Sequence, residues 1–218
     1  MVPYGMQYTT VLFDFDGTLA DTFSIVVDIG QYLVGKYRNQ KITHSEIAYL
    51  RKKTPLEVIR YFKIPWYMLP FIIREGQKQF VQQLPGVKTV PGMKEVLRSI
   101  QREGFTIGIV SSNSQKNVQL FCKNNDIDSI NFIEAKPTLF GKTGVIRRAL
   151  KHQNLLPNQC IYVGDEVRDI EACTKLGITC ISVAWGFNDA EILEQKNANR
   201  VVYVPKELLN KIKPLKSE

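Results

Sequence analysis

An apolar run that ends in two aspartates, TTVLFDFDGTL at residues 9–19, constrains this chain more than any other feature. A short run of β-branched and aromatic residues reads as a strand buried on both faces. Two further segments share its grammar, FTIGIVSSNS at 105–114 and CIYVGDEVRDI at 160–170. In each, an apolar strand gives way to small or acidic residues and then to a helical pattern. A fourth apolar run, ITCISVAWG, follows at 178–186, and VVYVP at 201–205 reads as a short edge strand. Helical spacing lies between them at 93–103, 115–124, 142–152 and 169–176. Strands alternating with helices imply an α/β fold, a Rossmann-like and mostly parallel sheet with helices on both faces.

One stretch breaks this rhythm. From 20 to 84 there is no strand-like run, and helical spacing recurs in FSIVVDIGQYLVGKY, HSEIAYLRKK, PLEVIRYF and WYMLPFIIREGQKQFVQQL. This predicts an all-helical subdomain, 20–84, inserted into an α/β core formed by 1–19 and 85–218. Pro85-Gly86 and Pro91-Gly92 mark the return to the sheet.

In an open α/β sheet, ligands bind beyond the carboxyl ends of the strands. The polar residues of the three segments fall there: Asp14 and Asp16, then Ser111, Ser112 and Asn113, then Asp165 and Asp169. Ionised carboxylates crowded at one mouth repel each other. A divalent cation with hard oxygen ligands relieves that, and magnesium suits a site with few carboxylates and open positions. An aspartate such as Asp14 is ionised at neutral pH and can attack phosphorus without an activating base. Asp16, freed by the turn at Gly17, is placed to protonate a leaving group. Thr18 and Ser111 offer hydroxyls to the transferring oxygens. An EF-hand also begins D-x-D, but it needs Gly at its sixth position and Glu at its twelfth; here Gly17 is fourth and Ile25 twelfth.

Composition narrows the partners. The chain of 218 residues is 44% hydrophobic and 23% charged, with a formal charge of +8, as expected of a globular protein. A basic balance favours anionic partners. The lysines and arginines are scattered, however, and no nucleic-acid-binding motif accompanies them. A small phosphorylated metabolite is therefore the expected partner, rather than nucleic acid. No apolar run is long enough to span a membrane. No secretory leader is visible, and the four cysteines, Cys122, Cys160, Cys173 and Cys180, contain no C-x-x-C pair. Reduced thiols and a cytoplasmic setting are expected. The oligomeric state is open.

In combination these motifs resemble the haloacid-dehalogenase-like superfamily: D-x-D-G-T in FDFDGTLADT, a serine closing the next strand in IVSSN, and an acidic pair in VGDEVRD. The resemblance implies a phosphatase with Asp14 as nucleophile, Asp16 as acid and base, and magnesium on Asp14, the Asp16 backbone carbonyl and Asp165. Asp169 would act on water or hold the family's lysine, and Glu166 is a weaker candidate ligand. For that lysine, Lys142 lies 23 residues before Asp165 and opens a helical pattern, whereas Lys136 lies 29 before it; the spacing favours Lys142. Residues 20–84 resemble the cap of phosphoglycolate phosphatases and β-phosphoglucomutases. Where many relatives have a Gly-rich cap turn, this chain has Arg51-Lys52-Lys53-Thr54-Pro55, which makes Lys53 a candidate substrate contact. Ser112 and Asn113 are candidate substrate contacts beside Ser111. A mutase or pyrophosphatase of the same build stays open, as does a silent binding module that has no need of Asp14, Asp16, Ser111, Lys142 and Asp165.

Overall fold

The structure is a computed structural model that describes residues 8–138 and 141–212. Its centre is a parallel sheet of six strands: β1 (Thr10–Phe13), β2 (Thr106–Ser111), β3 (Phe132–Ala135), β4 (Cys160–Gly164), β5 (Thr179–Val183) and β6 (Val201–Val202). Their order across the sheet is β3-β2-β1-β4-β5-β6. The chain builds one half outward from β1 and then returns to build the other, which creates a switch point between β1 and β4. Ligands of doubly wound sheets bind at such a point, outside the carboxyl ends of the strands. Phe13 pairs with Ile109 on one side and Val163 on the other. Asp14 is thereby level with the ends of both neighbouring strands.

Strand alternation sorts the core into two layers. Val11 and Phe13 of β1, with Ile161 and Val163 of β4, join one apolar cluster. Leu12, Cys160 and Tyr162 face the other. The first layer is covered by α5 (Met93–Arg102), α6 (Gln115–Asn124) and α10 (Glu207–Ile212); the second by α7 (Lys142–His152), α8 (Val167–Leu176) and α9 (Ala190–Lys196). Helices therefore lie on both faces, as the alternation of elements predicts. All four cysteines are free and buried. Among the described residues, no helix is long and apolar enough to cross a membrane.

Residues 20–84 contain α1 (Phe23–Arg38), α2 (His44–Leu50), α3 (Pro55–Tyr61) and α4 (Leu69–Gln83), and no strand. Thr43 and Thr54 each close a capping box with the glutamate three residues on, which satisfies the first orphan amides of α2 and α3. The chain leaves and re-enters the sheet side by side. The Asp21 N–H donates to Lys88 O at 2.9 Å, and that of Val90 to Leu19 O at 2.9 Å.

Four elements depart from the sequence expectation. The strand β3 carries Glu134 within FIEA and is short, so its period is lost in a polar context. Helices α9 and α10 have 7 and 6 residues, too few turns for a period to register. Helix α8 starts at Val167 rather than 169, because Glu166 is its N-cap and exchanges a capping box with Asp169.

Candidate active site

Asp14 is the first residue beyond β1 and is 2% exposed. Its N–H continues the ladder to Val163 O at 2.8 Å. Its Oδ1 accepts the Phe15 N–H at 2.7 Å, and its Oδ2 lies 2.5 Å from the Lys142 ammonium. That ammonium also reaches Asp169 Oδ1 at 3.0 Å. Lys142 opens α7 and is 4% exposed; Lys136 is exposed. Of the two lysines weighed above, the fold thus brings Lys142 to the carboxylates. Burial raises the Asp14 carboxyl above the usual carboxylate range, and Lys142 opposes that rise. Burial works against the Lys142 ammonium, but Asp14 and Asp169 beside it leave it above the ordinary lysine range.

Asp165 follows β4 and is fully buried. Its Oδ1 accepts the Thr18 hydroxyl at 2.7 Å, and its Oδ2 the Phe187 N–H at 2.7 Å. Thr18, expected at the substrate, is itself fully buried on this carboxylate, so its hydroxyl is committed to holding Asp165. Gly17, at φ +73°, lies so close that a Cβ there would sit 2.4 Å from Asp165 Oδ2. Only glycine allows both that conformation and that approach. Burial pushes the Asp165 carboxyl well up, and Glu166, Asp14 and Asp169 add to it. Asp169 is also fully buried; its Oδ2 accepts the Glu166 N–H at 3.1 Å.

Asp16 is turned toward the end of β2. The Asn113 amide donates to its Oδ2 at 2.9 Å, while its Oδ1 is buried with no hydrogen-bond partner. Burial raises this carboxyl to about 6, and Asn113 holds it down. A carboxyl near that value can both give and take a proton around neutrality. Asn113 is therefore placed on the acid rather than on open space. Ser111 is buried and its hydroxyl accepts the Asn113 N–H at 3.0 Å.

Sequence reasoning missed Arg168. Its guanidinium donates to Glu166 Oε1 through Nε at 2.9 Å and Nη2 at 2.5 Å, and through Nη2 to Ser112 at 3.3 Å. It lies inside the acidic motif, where an arginine on the first turn of a helix reads as solvated. The Lys53 ammonium lies 4.7 Å from the centre of the Tyr49 ring. Arg51 donates to Gly186 O at 2.9 Å and Phe187 O at 3.1 Å. Within the basic run, Arg51 thus engages the loop after β5, and Lys53 lies over Tyr49 of α2.

Could these residues hold a divalent cation? Asp14, Asp165 and Asp169 each offer a carboxylate oxygen, all within 4.8 Å of one another. Five acids, Asp14, Asp16, Asp165, Glu166 and Asp169, face two cations, Lys142 and Arg168. The excess is negative, the donors are hard oxygens, and burial disfavours the charged forms of Asp14, Asp16 and Asp165. A small divalent cation fits on all three counts.

The family model described as haloacid dehalogenase-like hydrolase matches residues 11–183. Among curated relatives, a phosphoglycolate phosphatase of Synechococcus elongatus is 27% identical over 206 residues, 94% of this chain and 97% of its own length. A pyrophosphatase of Bacillus mycoides is 22% identical over 231 residues, covering 96% of each chain. Among solved structures, a haloacid dehalogenase-like family hydrolase of Streptococcus pneumoniae superposes with a TM-score of 0.79 at 21% identity, over 95% of this chain and 99% of that one; this likeness speaks to fold. The family match starts within β1 and ends with β5, so it takes in every carboxylate described above, and this chain belongs to the haloacid dehalogenase-like hydrolases.

Proposed function

We propose that this hydrolase is a magnesium-dependent phosphatase of small anionic phosphate monoesters, 2-phosphoglycolate among them, with Asp14 as nucleophile. The observation that carries this reading is the Asp14 carboxylate itself. It is buried at the switch point, with one oxygen on a backbone amide and the other on Lys142.

In this reading an Asp14 oxygen attacks phosphorus and the bond from phosphorus to the leaving oxygen breaks. Asp16 gives its proton to that oxygen through Oδ1, the oxygen that Asn113 does not hold. Asp16 then takes a proton from water as that water attacks the aspartyl-phosphate, which releases phosphate and restores Asp14. Lys142 balances charge on Asp14 and on the transferring oxygens, and Ser111 and Ser112 line the same mouth. The side chains of Asp14 and Asp165 and the Asp16 carbonyl would hold magnesium, and Asp169 would hold Lys142. Bound magnesium supplies positive charge for the phosphoryl oxygens.

Residues 20–84 act as a cap that excludes water and selects the substrate. The paired crossings at Asp21–Lys88 and Leu19–Val90 give that segment a two-stranded hinge. Similarity to the Bacillus pyrophosphatase favours inorganic pyrophosphate as a second substrate to weigh.

Phosphate release from 2-phosphoglycolate, sugar phosphates, nucleotides and pyrophosphate, with magnesium and with chelator, tests this. Magnesium-dependent turnover of phosphoglycolate is expected. Turnover unchanged in chelator sinks the metal assignment, and turnover of pyrophosphate alone moves the substrate.

A further inference from the structure

One side chain touches both the acidic turn and the helical segment. Asn188, in the loop after β5, is 4% exposed. Its Oδ1 accepts the N–H of Val167, the first residue of α8, at 2.8 Å. Its Nδ2 donates to Arg51 O at 2.6 Å and to Lys53 O at 3.4 Å. Its own N–H points to Asp165 O at 3.4 Å. The neighbouring residues repeat this two-sided pattern. On the acidic side, the Phe187 N–H holds Asp165 Oδ2. On the helical side, the Asp189 N–H donates to Arg51 O at 3.2 Å, and the Arg51 guanidinium grips the carbonyls of Gly186 and Phe187.

We propose that Asn188 is a positioning residue that ties the seating of the Arg51–Lys53 turn to the alignment of the acidic turn, Asp165 to Val167. The proposal rests on the reading of residues 20–84 as a cap and adds the device by which the cap is sensed. With the turn seated, both ends of the Asn188 amide are satisfied. Lifting the turn strips Nδ2 of its two acceptors and frees the carbonyls of Gly186 and Phe187. A buried amide left half-bonded is costly, so it rotates toward whatever acceptor remains and takes Oδ1 away from Val167. The amide at the start of α8 and the backbone at Asp165 then lose their fixed positions. The coupling runs both ways: whatever orders the acidic turn, a bound cation included, also favours the seated turn. An amide suits this, because it presents a donor to one side and an acceptor to the other.

The competing reading is that Asn188 merely caps α8. The variant Asn188→Asp separates the two. It keeps an acceptor for the Val167 N–H, now charged and favourable at a helix N-terminus, and removes the donor to Arg51. Hydrogen exchange of the full chain, resolved at residues 51–53, Val167 and Asp189, is measured for the wild type, Asn188→Asp and Arg51→Ala. It is run alone and with magnesium and inorganic phosphate. The expected result is that Asn188→Asp speeds exchange at 51–53 on the order of fivefold, the factor for one net hydrogen bond, and leaves Val167 protected, because the carboxylate keeps that acceptor. Arg51→Ala should speed exchange at 51–53 and at Val167 together, and should no longer reach Val167 in the Asn188→Asp background. Magnesium affinity by calorimetry should fall by a similar factor in Arg51→Ala. Faster exchange at 51–53 in Arg51→Ala with Val167 still protected would overturn the proposal and leave a simple cap. If wild-type exchange at 51–53 ignores magnesium and phosphate, the cap reading fails instead, while the variants still report whether the two turns are linked.

Discussion

Asp14, Asp16, Asp165 and Asp169 each have a hydrogen-bond or ion-pair partner from another stretch of the chain, whereas two of the four α-helices of residues 20–84 bury no residue at all. The acids sit on the ends of strands whose side chains are packed on both faces. The helices α2 and α3 instead rely on capping boxes and on their own surface contacts, and this segment exposes Trp66 and Phe71. The difference separates two tasks. A reacting carboxylate must be held to a fraction of an ångström by groups whose own positions are locked. On the proposed reading of residues 20–84 as a cap, a segment that opens for substrate must have little buried surface to lose.

The largest effect expected on the sheet-end side is from Asp14→Asn. An amide cannot attack phosphorus, so turnover should fall by at least about 10⁴-fold, the scale on which losing one member of a catalytic group acts. Circular dichroism and thermal melting should stay close to wild type, because the Phe15 N–H keeps its acceptor. Retained turnover in a folded sample shown by mass spectrometry to be undeamidated would remove Asp14 from the role of nucleophile.

Next in size is the contrast between Lys142→Ala and Lys136→Ala. Lys142 is the cation shared by Asp14 and Asp169, and its loss leaves two buried carboxylates facing each other. Turnover should drop by about 10²- to 10³-fold, as when one preorganised donor is removed from a charged transition state, and the melting temperature should fall with it. Lys136→Ala should stay within a few-fold in turnover and unchanged in stability. The reverse ranking in steady-state assays of folded protein would move the catalytic cation to Lys136.

How far this arrangement is legible in the sequence depends on what carries each signal. Asp14 and Asp165 are legible because each follows a continuous apolar strand, and strands buried on both faces leave an unbroken apolar run; Asp169 is legible from its spacing after Asp165 in VGDEVRD. The helices of 20–84 are legible from the spacing of their apolar residues; the capping boxes at Thr43 and Thr54 emerge only in the structure. Thr18 is only half legible. Its place beside the acids follows from D-x-D-G-T, but its commitment to Asp165 depends on the pairing of β1 with β4, which is set by topology. Arg168 and Asn188 leave no such trace. Their work is done by single hydrogen bonds across 2 to 137 positions of chain, and no periodicity or spacing records a contact of that kind. The strand β3 leaves no signal, because four residues that include a glutamate do not outweigh their polar flanks.

Stability should divide the two regions just as turnover does. Leu12 is fully buried in β1, and Leu56 in α3 is 45% exposed. Leu12→Ala leaves a cavity between sheet and helices and should cost about 2–5 kcal/mol in chemical denaturation. Leu56→Ala should cost about 0.5 kcal/mol or less. Equal costs would mean that α3 is as firmly packed as the sheet, and the contrast drawn above would not hold.

The smallest effect lies where the two regions meet. Lys52 reaches from the turn after α2 to Glu191 and, at 3.9 Å, to Asp189. All three side chains are partly solvent-exposed, so water and salt screen the attraction, and ordering a long lysine chain offsets much of what remains. Arg51, one residue earlier, makes its bonds to backbone carbonyls in a more buried setting. Lys52→Ala should therefore change exchange at 51–53 by no more than about twofold at low salt. At about 1 M salt, where the screening length shrinks to about 3 Å, the variant and the wild type should coincide. Arg51→Ala should keep its effect at both salt concentrations. A Lys52→Ala effect that is large and indifferent to salt would show that the seat of this turn is an ion pair at the surface, and would take that role away from the hydrogen bonds of Arg51 and Asn188.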